Sequence, residues 1–354
     1  MEYRAARPSE RDEVLDLLSL WYGDREFFAR YNQNDPSYRD NFCLIARDGG
    51  QLASTVQIFD RKINLAGQAV PMGGIGSVFT REDYRHKGVA SELMRLAVET
   101  MRNASFEVSL LFAERITFYN QFGWREVERK ISMLPGTERL SAPGNYLIDV
   151  FDPERDLTEV DSIHRGYSGR FNLTAARDPA AWSGSLKFSA NQPLHHGEAS
   201  DEYFILCRNE KRIVAYARVM RLYGVPGVME FGYVPGARSA LLSIFKYLGE
   251  VAAGRAPSFK TAGNHSRAAM LMPARGTAPA GIIASHTAHD PDLERQFAAA
   301  GSQVSYYTDN NFMWTVLAPE KLAKRLNVSP ESATARAFKI FSDPGSVYWM
   351  SDRF

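Results

Sequence analysis

The chain has 354 residues, 45% of them hydrophobic, which supplies two buried cores more readily than one. Its 42 basic residues nearly cancel its 41 acidic ones, so nothing argues for nucleic acid or an anionic membrane surface as partner. No apolar run reaches the length of a membrane span, and the start, Met1-Glu2-Tyr3-Arg4, lacks a signal-peptide layout. A cytoplasmic protein is the expectation. The two cysteines, Cys43 and Cys207, fall in strand-like runs and read as small buried hydrophobes of a reducing compartment.

Pro8-Ser9-x-x-Asp12 opens a helix whose apolar face carries Val14, Leu17, Leu18 and Trp21. An aromatic and acidic stretch follows, with Asp24, Glu26, Phe27, Phe28 and Tyr31. Residues 42–47, a turn at Asp48-Gly49-Gly50, and residues 51–63 read as a hairpin. Leu65-Ala66-Gly67 turns the chain into Gly73-Gly74-Ile75-Gly76-Ser77-Val78-Phe79-Thr80, apolar and β-branched after its glycines, hence a strand with a bulge or splay. Beyond it Val89, Leu93, Leu96, Ala97 and Thr100 recur at helical spacing, so Gly88 stands at a helix start. Strand, basic loop and helix start converge on one point, where free N–H groups and the helix dipole favour an anion. Arg85, His86 and Lys87 flank that point, while Gly88 lets the backbone approach a phosphate closely.

A Walker A loop would need G-x-x-x-x-G-K-[ST], which is absent. A dinucleotide fingerprint would need its glycines after the strand, and Gly74-Ile75-Gly76 lies inside it. A solvated basic turn is the plain alternative for a lone R-x-x-G-x-A. Arg85-x-x-Gly88-x-Ala90, however, is followed by a strand over 106–113 and by Phe118-Tyr119-Asn120-Gln121-Phe122-Gly123-Trp124, a short helix closed by glycine. Two motifs in this register resemble the pyrophosphate loop and closing helix of the GNAT acetyltransferases. The resemblance implies acetyl-CoA as co-substrate, held by Val78, Phe79, Thr80, Arg85, His86, Lys87, Gly88, Val89 and Ala90. It implies Tyr119 as the general acid that protonates the leaving thiolate; the plain alternative for Tyr119 is packing. The aromatic and acidic stretch resembles the wall of the acceptor cleft, making Asp24, Glu26, Phe27 and Glu114 candidate substrate contacts.

Two strands up to Leu134 and a boundary at 135–144 end the first half. The same order of elements then recurs. A hairpin over 203–221 echoes 42–63, residues 228–234 stand where the motif strand stood, and 240–252 stand where its helix stood. A helix over 293–300, Gly301 and two strands up to Leu317 echo the close of the first half. Pro235-Gly236-Ala237-Arg238-Ser239 carries no R-x-x-G-x-A, and Ala298-Ala299-Ala300 replaces the tyrosine, so this copy is expected to bind no coenzyme. Residues 262–290, rich in Gly, Ala and Pro, receive no assignment.

Helices over 319–326 and 330–340 precede an aromatic end, Val347 to Phe354, expected to dock on the core. The whole resembles the Eis-like branch of the GNATs without a full sterol-carrier-like domain. The expected architecture is α/β with mixed sheets: a catalytic domain over 1–140, a degenerate second copy over 145–318 and an extension over 319–354. In that branch the C-terminal carboxylate takes the amine proton, which would fall to Phe354; Glu114, Asp24 and Glu26 are rivals, and a terminus with no catalytic role is the plain alternative. His195-His196 and His286-x-x-His289 lie in loops without completing ligands, so no metal is expected, and no G-x-S-x-G hydrolase elbow occurs. The expected activity is transfer of an acetyl group to a primary amine of a small molecule or lysine. A non-catalytic GNAT-fold module that binds acyl-CoA or a protein is the alternative, and a homo-oligomer is possible.

Overall fold

The computed structural model of the protein describes residues 1–142, 144–190, 202–222, 225–256, 282–285 and 289–352. In the first half β1 (Glu2–Ala5) and a 3-10 turn at Pro8–Glu10 lead into α1 (Arg11–Tyr22) and α2 (Arg25–Asn34). The hairpin β2 (Cys43–Asp48) and β3 (Gln51–Leu65) follows, then β4 (Gln68–Thr80), α3 (Val89–Asn103), β5 (Val108–Phe112), α4 (Ile116–Asn120), β6 (Arg125–Glu126) and β7 (Arg129–Leu134). The second half runs β8 (Tyr146–Val150), α5 (Pro153–Ser168), α6 (Pro179–Ala190), β9 (Glu202–Asn209), β10 (Arg212–Leu222), β11 (Val225–Tyr233) and α7 (Arg238–Ala252). It continues through β12 (Ile282–Ser285), α8 (Pro291–Ala299), β13 (Ser305–Asp309) and β14 (Phe312–Val316), and closes with α9 (Pro319–Leu326) and α10 (Pro330–Phe341). The fold is α/β with mixed sheets, and among the described residues no helix is long and apolar enough to cross a membrane.

The strands form two seven-stranded sheets among the described residues, ordered β1-β2-β3-β4-β5-β14-β6 and β13-β7-β12-β11-β10-β9-β8. Each sheet therefore borrows from the other half of the chain: β14 lies between β5 and β6, and β7 between β13 and β12. The break expected at residues 140–145 divides the chain but not the sheets. Sterics and burial explain the exchange. Met313 and Trp314 of β14 are fully buried, and pairing Phe312–Val316 antiparallel to Val108–Phe112 covers an edge of β5 that would otherwise stay open.

Local patterns account for most elements. Val14, Leu15, Leu17 and Leu18 bury one face of α1, but Trp21, expected on that face, is exposed. In α3 the buried stripe is Val89, Leu93, Met94, Ala97 and Met101, rotated slightly from the expected one so that Met101 rather than Thr100 meets the sheet. Gly73 makes that contact possible, since a Cβ there would stand 2.4 Å from Met101 Sδ. Both cysteines are buried, and burial pushes the Cys43 thiol up to about 11 and that of Cys207 up to about 12.

Residues 319–349 pack on the core. Leu322, Ala323, Ala333, Ala337 and Phe341 join Trp314 and Val70 in one core cluster, and Arg325 grips Glu107 through two 2.8 Å hydrogen bonds. Val347, Tyr348 and Trp349 are fully buried. Between the halves, residues 172–176 run beside the end of β3, with Leu173 N donating to Asn64 O at 2.6 Å and Ala176 N to Lys62 O at 2.8 Å. The tail joins the same seam, since Val347 N donates to Asn172 O at 2.8 Å. That seam brings second-half and tail residues to the mouth of the first sheet.

Candidate active site

The β4–α3 junction is where backbone donors collect. β4 pairs in parallel with β5 only from Met72 opposite Val108 to Ile75 opposite Leu111, after which the two strands part. On its other edge a bulge sets Ser77 and Val78 against Val56, since Gly76 pairs with Gln57 and Phe79 with Thr55. Ser77 takes a φ of 50°, a conformation that bulges concentrate. Ser54 Oγ donates to Phe79 O at 2.8 Å and lies 2.7 Å from Thr80 Oγ1, which pins the splayed end. Backbone groups of residues 76–80 on the β5 side consequently face open space rather than a neighbouring strand.

After the strand the loop turns through His86 at φ 60° and Gly88 at φ 79°, and Gly88 caps α3 with no side-chain acceptor. The first N–H groups of α3 have no partner within the helix, and a Cβ on Gly88 would meet nothing within 4 Å. Arg85 Nε donates to Thr80 O at 3.2 Å, and its guanidinium carbon stands 5.4 Å from the centre of the Trp21 ring and 5.9 Å from that of Phe79. Among the described residues Arg85, His86 and Lys87 make no ion pair, so a helix start, a guanidinium and an imidazole share one open space without an anion.

That space is part of a cavity of about 1070 Å³ between the two halves. Of the residues singled out in the sequence, Phe27, Val78, Phe79, Thr80, Arg85, His86, Gly88, Val89, Ala90, Glu114 and Tyr119 line it. Tyr119 is half-buried on α4, its ring edge-on to Phe118 at 4.9 Å, and Glu114 is exposed just past the end of β5. Three expected contacts fall off the lining. Lys87 points outward, its Nζ 5.6 Å from the centre of the Tyr84 ring. Asp24 serves α2 instead, its carboxylate accepting from Phe27 N at 2.8 Å as the helix cap, and Glu26 in the next turn is exposed. Phe354 lies outside the described residues, as do His195, His196 and His286. His289, expected in solvent, is buried with its Nε2 3.0 Å from Tyr167 OH, and no metal-holding group of side chains occurs among the described residues.

The other wall of the cavity was not legible. Phe188 of α6 packs edge-on to Phe27 at 5.2 Å and to Tyr31 at 5.1 Å, and Tyr31 packs edge-on to Phe59 at 5.5 Å. Arg61 binds Asp35 at 2.6 Å beside Tyr31; burial raises the Asp35 carboxyl, but the guanidinium outweighs it and holds the group below its usual range. Arg177, at the end of the seam segment, makes two bonds to Glu230 at 3.0 and 2.6 Å and one to Asp352 at 2.8 Å. Tyr216 OH donates to Glu230 Oε1 at 2.7 Å, His164 Nδ1 stands 3.2 Å from the same oxygen, and Ser351 Oγ donates to Oε2. Burial raises the Glu230 carboxyl, yet Arg177 and His164 prevail and hold it well below the usual carboxylate range. Only Asp178-Pro179, a helix-start signature whose Asp178 Oδ1 accepts from Ala181 N at 2.8 Å, marked this region in the sequence.

Residues 2–127 match the family described as an acetyltransferase (GNAT) domain. Among solved structures, a conserved protein from Enterococcus faecalis described as a probable N-acyltransferase superposes with a TM-score of 0.65 at 16% identity, over 91% of this chain and 74% of its own. A GCN5-related N-acetyltransferase from Kribbella flavida gives 0.63 at 18% identity, over 91% and 72%. Eis1 from Mycobacterium abscessus gives 0.59 at 12% identity, over 91% and 75%. At these identities the likeness is one of fold, and it spans both halves of the chain. No curated protein matches the chain.

Proposed function

We propose that this chain, whose residues 2–127 form a GNAT acetyltransferase domain, transfers an acetyl group from acetyl-CoA to a primary amine of a small molecule or lysine. The observation that carries the reading is the uncapped start of α3, open to a large cavity beside Arg85, which makes no ion pair among the described residues. Acetyl-CoA fits these residues. Its pyrophosphate needs several N–H donors and positive charge, which Gly88, Val89 and Ala90 with Arg85 and His86 supply, and the absence of a Cβ on Gly88 leaves room for it.

When bound, the coenzyme supplies a thioester whose carbonyl carbon the amine attacks, forming a C–N bond as the C–S bond breaks. The chain's residues supply the rest. Backbone N–H groups of the splayed end of β4, around Val78 to Thr80, align the pantetheine arm and polarise the carbonyl. Tyr119 donates its phenolic proton to the departing sulfur. Glu114, on the lining just past β5, accepts the proton that the new amide nitrogen loses.

Calorimetry with acetyl-CoA should find one site per chain, and a thiol-release assay with an amine panel should find turnover. Two sites per chain would remove the basis of the reading. Binding without turnover of any amine would replace the enzyme by a non-catalytic acyl-CoA-binding module.

A further inference from the structure

On the wall of the cavity opposite the anion site, one side chain has an unused acceptor. Asp352 is nine-tenths buried, with 10% of its side chain exposed, and lines the cavity. Its Oδ1 accepts from Arg177 Nε at 2.8 Å, whereas Oδ2 has no hydrogen-bond partner. A buried carboxylate oxygen without a donor costs free energy unless something brings a donor to it. Arg177 cannot satisfy it, because the same guanidinium already spends two bonds on Glu230. Arg177, Glu230 and Asp352 together count one cation against two anions. Two other guanidinium groups of the lining are engaged elsewhere: Arg61 with Asp35, and Arg218 with Ser185 Oγ at 3.1 Å.

Tyr348 ties the backbone of Asp352 to the rest of the site. Its OH donates to Asp352 O at 2.8 Å, and its ring lies 6.2 Å from that of Phe112, two residues before Glu114 at the parting of β4 and β5. Asp352 shares the cavity lining with the aromatic wall formed by Phe27, Tyr31, Phe59 and Phe188. Aromatic faces and edges welcome apolar carbon and cations.

We infer that Asp352 Oδ2 is the subsite for the acceptor's ammonium group, and that the acceptor is an amine on an apolar or aromatic body lying against Phe27, Tyr31 and Phe188. The inference deepens the acetyltransferase reading and rests on it for the word acceptor. The ammonium donates a charge-assisted hydrogen bond to Oδ2, and the body displaces water from the aromatic wall. Before transfer the ammonium releases one proton to solvent water in the open cavity, and the neutral amine turns its lone pair toward the thioester.

The test uses direct binding to the full chain with no coenzyme present. Phenethylamine, 2-phenylethanol and glucosamine are titrated as charged aromatic, neutral aromatic and charged polyhydroxylated probes. Phenethylamine should bind at least about tenfold tighter than either of the others, since charge-assisted bonds and apolar burial each contribute at that level. Asp352→Asn should weaken phenethylamine by about 10- to 100-fold and leave 2-phenylethanol unchanged, while Asp352→Glu recovers most of the loss. Phe188→Ala should weaken both aromatic probes alike. Equal binding of phenethylamine in parent and Asp352→Asn overturns the inference, and so does a preference for glucosamine. Should Asp352→Asn lose its cooperative melting transition, the parent's ratio of phenethylamine to 2-phenylethanol decides, and a ratio near one overturns it. A separate acetyl-CoA titration keeps the two readings apart: if acetyl-CoA fails to bind, the acetyltransferase reading falls whatever the amines do.

Discussion

The β4–α3 and β11–α7 junctions share a layout and differ in where their positive charge goes. At the first, β4 runs into α3 through a glycine cap with φ 79°, and Arg85 meets only aromatic rings and a carbonyl. At the second, β11 runs into α7 through Ala237, and Arg238 reaches Asp292 at 3.3 Å, Asp290 at 3.7 Å and Tyr233 OH at 3.4 Å. The surroundings differ in the same sense. Phe231 of β11 is covered by Trp349 at 5.2 Å and His289 at 5.5 Å, whereas the end of β4 opens on the cavity. One junction has been left needing an anion, and the other has been closed with the protein's own carboxylates and tail. On the proposed reading, the first junction can take a ligand because it withholds internal partners, and the second cannot because it supplies them.

Breaking the first junction should have the largest effect. Gly88→Asp places a side chain at a positive φ and a negative charge where a phosphate would lie, so acetyl-CoA binding in calorimetry should vanish with the melting temperature little lowered. Retained binding would mean that the pyrophosphate is held elsewhere. Tyr119→Phe keeps the ring against Phe118 and removes the proton donor alone. Its kcat should fall by about 10²–10⁴-fold with acetyl-CoA affinity unchanged, and a change within a few-fold would return Tyr119 to a packing role.

Glu230→Gln probes what closes the second half. It leaves Arg177 buried with one carboxylate in place of two, and should cost about 3–5 kcal/mol of stability by denaturant unfolding. The sign of the pH dependence follows from the depressed carboxyl. The stabilisation by Glu230 is fully present above its ordinary value of 4.5 and fades as the pH falls below that. Acid unfolding of the variant should therefore be less steep than that of the parent. An equal slope in both would show that Glu230 contributes nothing to it.

What could be read from the sequence was whatever repeats or caps locally. The hairpins, the glycine at the start of α3 and the helix at Pro319–Leu326 all follow from periodicity and turn chemistry within a few residues. The open, uncapped start of α3 was legible too, because its backbone donors lie within one loop. The strand exchange was invisible, since nothing in Phe312–Val316 says that it will pair with Val108–Phe112 some two hundred residues earlier. Asp24 was ambiguous for a related reason: an acidic residue ahead of aromatics suits both a cleft and a helix cap, and here its carboxylate accepts from Phe27 N. The Arg177, Glu230 and Asp352 cluster joins residues 177, 230 and 352, three distant segments that meet only through tertiary packing.

Arg238→Ala gives the smallest effect and the sharpest control on the comparison. Arg238 is the cation nearest the start of α7, and a motif search that counts basic residues would treat it like Arg85. Its carboxylate partners argue otherwise, because a guanidinium matched by Asp290 and Asp292 has little attraction left for an external phosphate. Removing it should leave acetyl-CoA affinity and stoichiometry unchanged. Its stability cost should be about 1 kcal/mol or less, since the side chain is 31% exposed and its ion pairs are partly screened. Arg85→Ala should show the opposite pattern, with affinity lowered and stability hardly changed, since Arg85 pairs with no carboxylate among the described residues. If Arg238→Ala instead weakened acetyl-CoA, the second junction would be a working anion site, and the distinction between the two halves would fail.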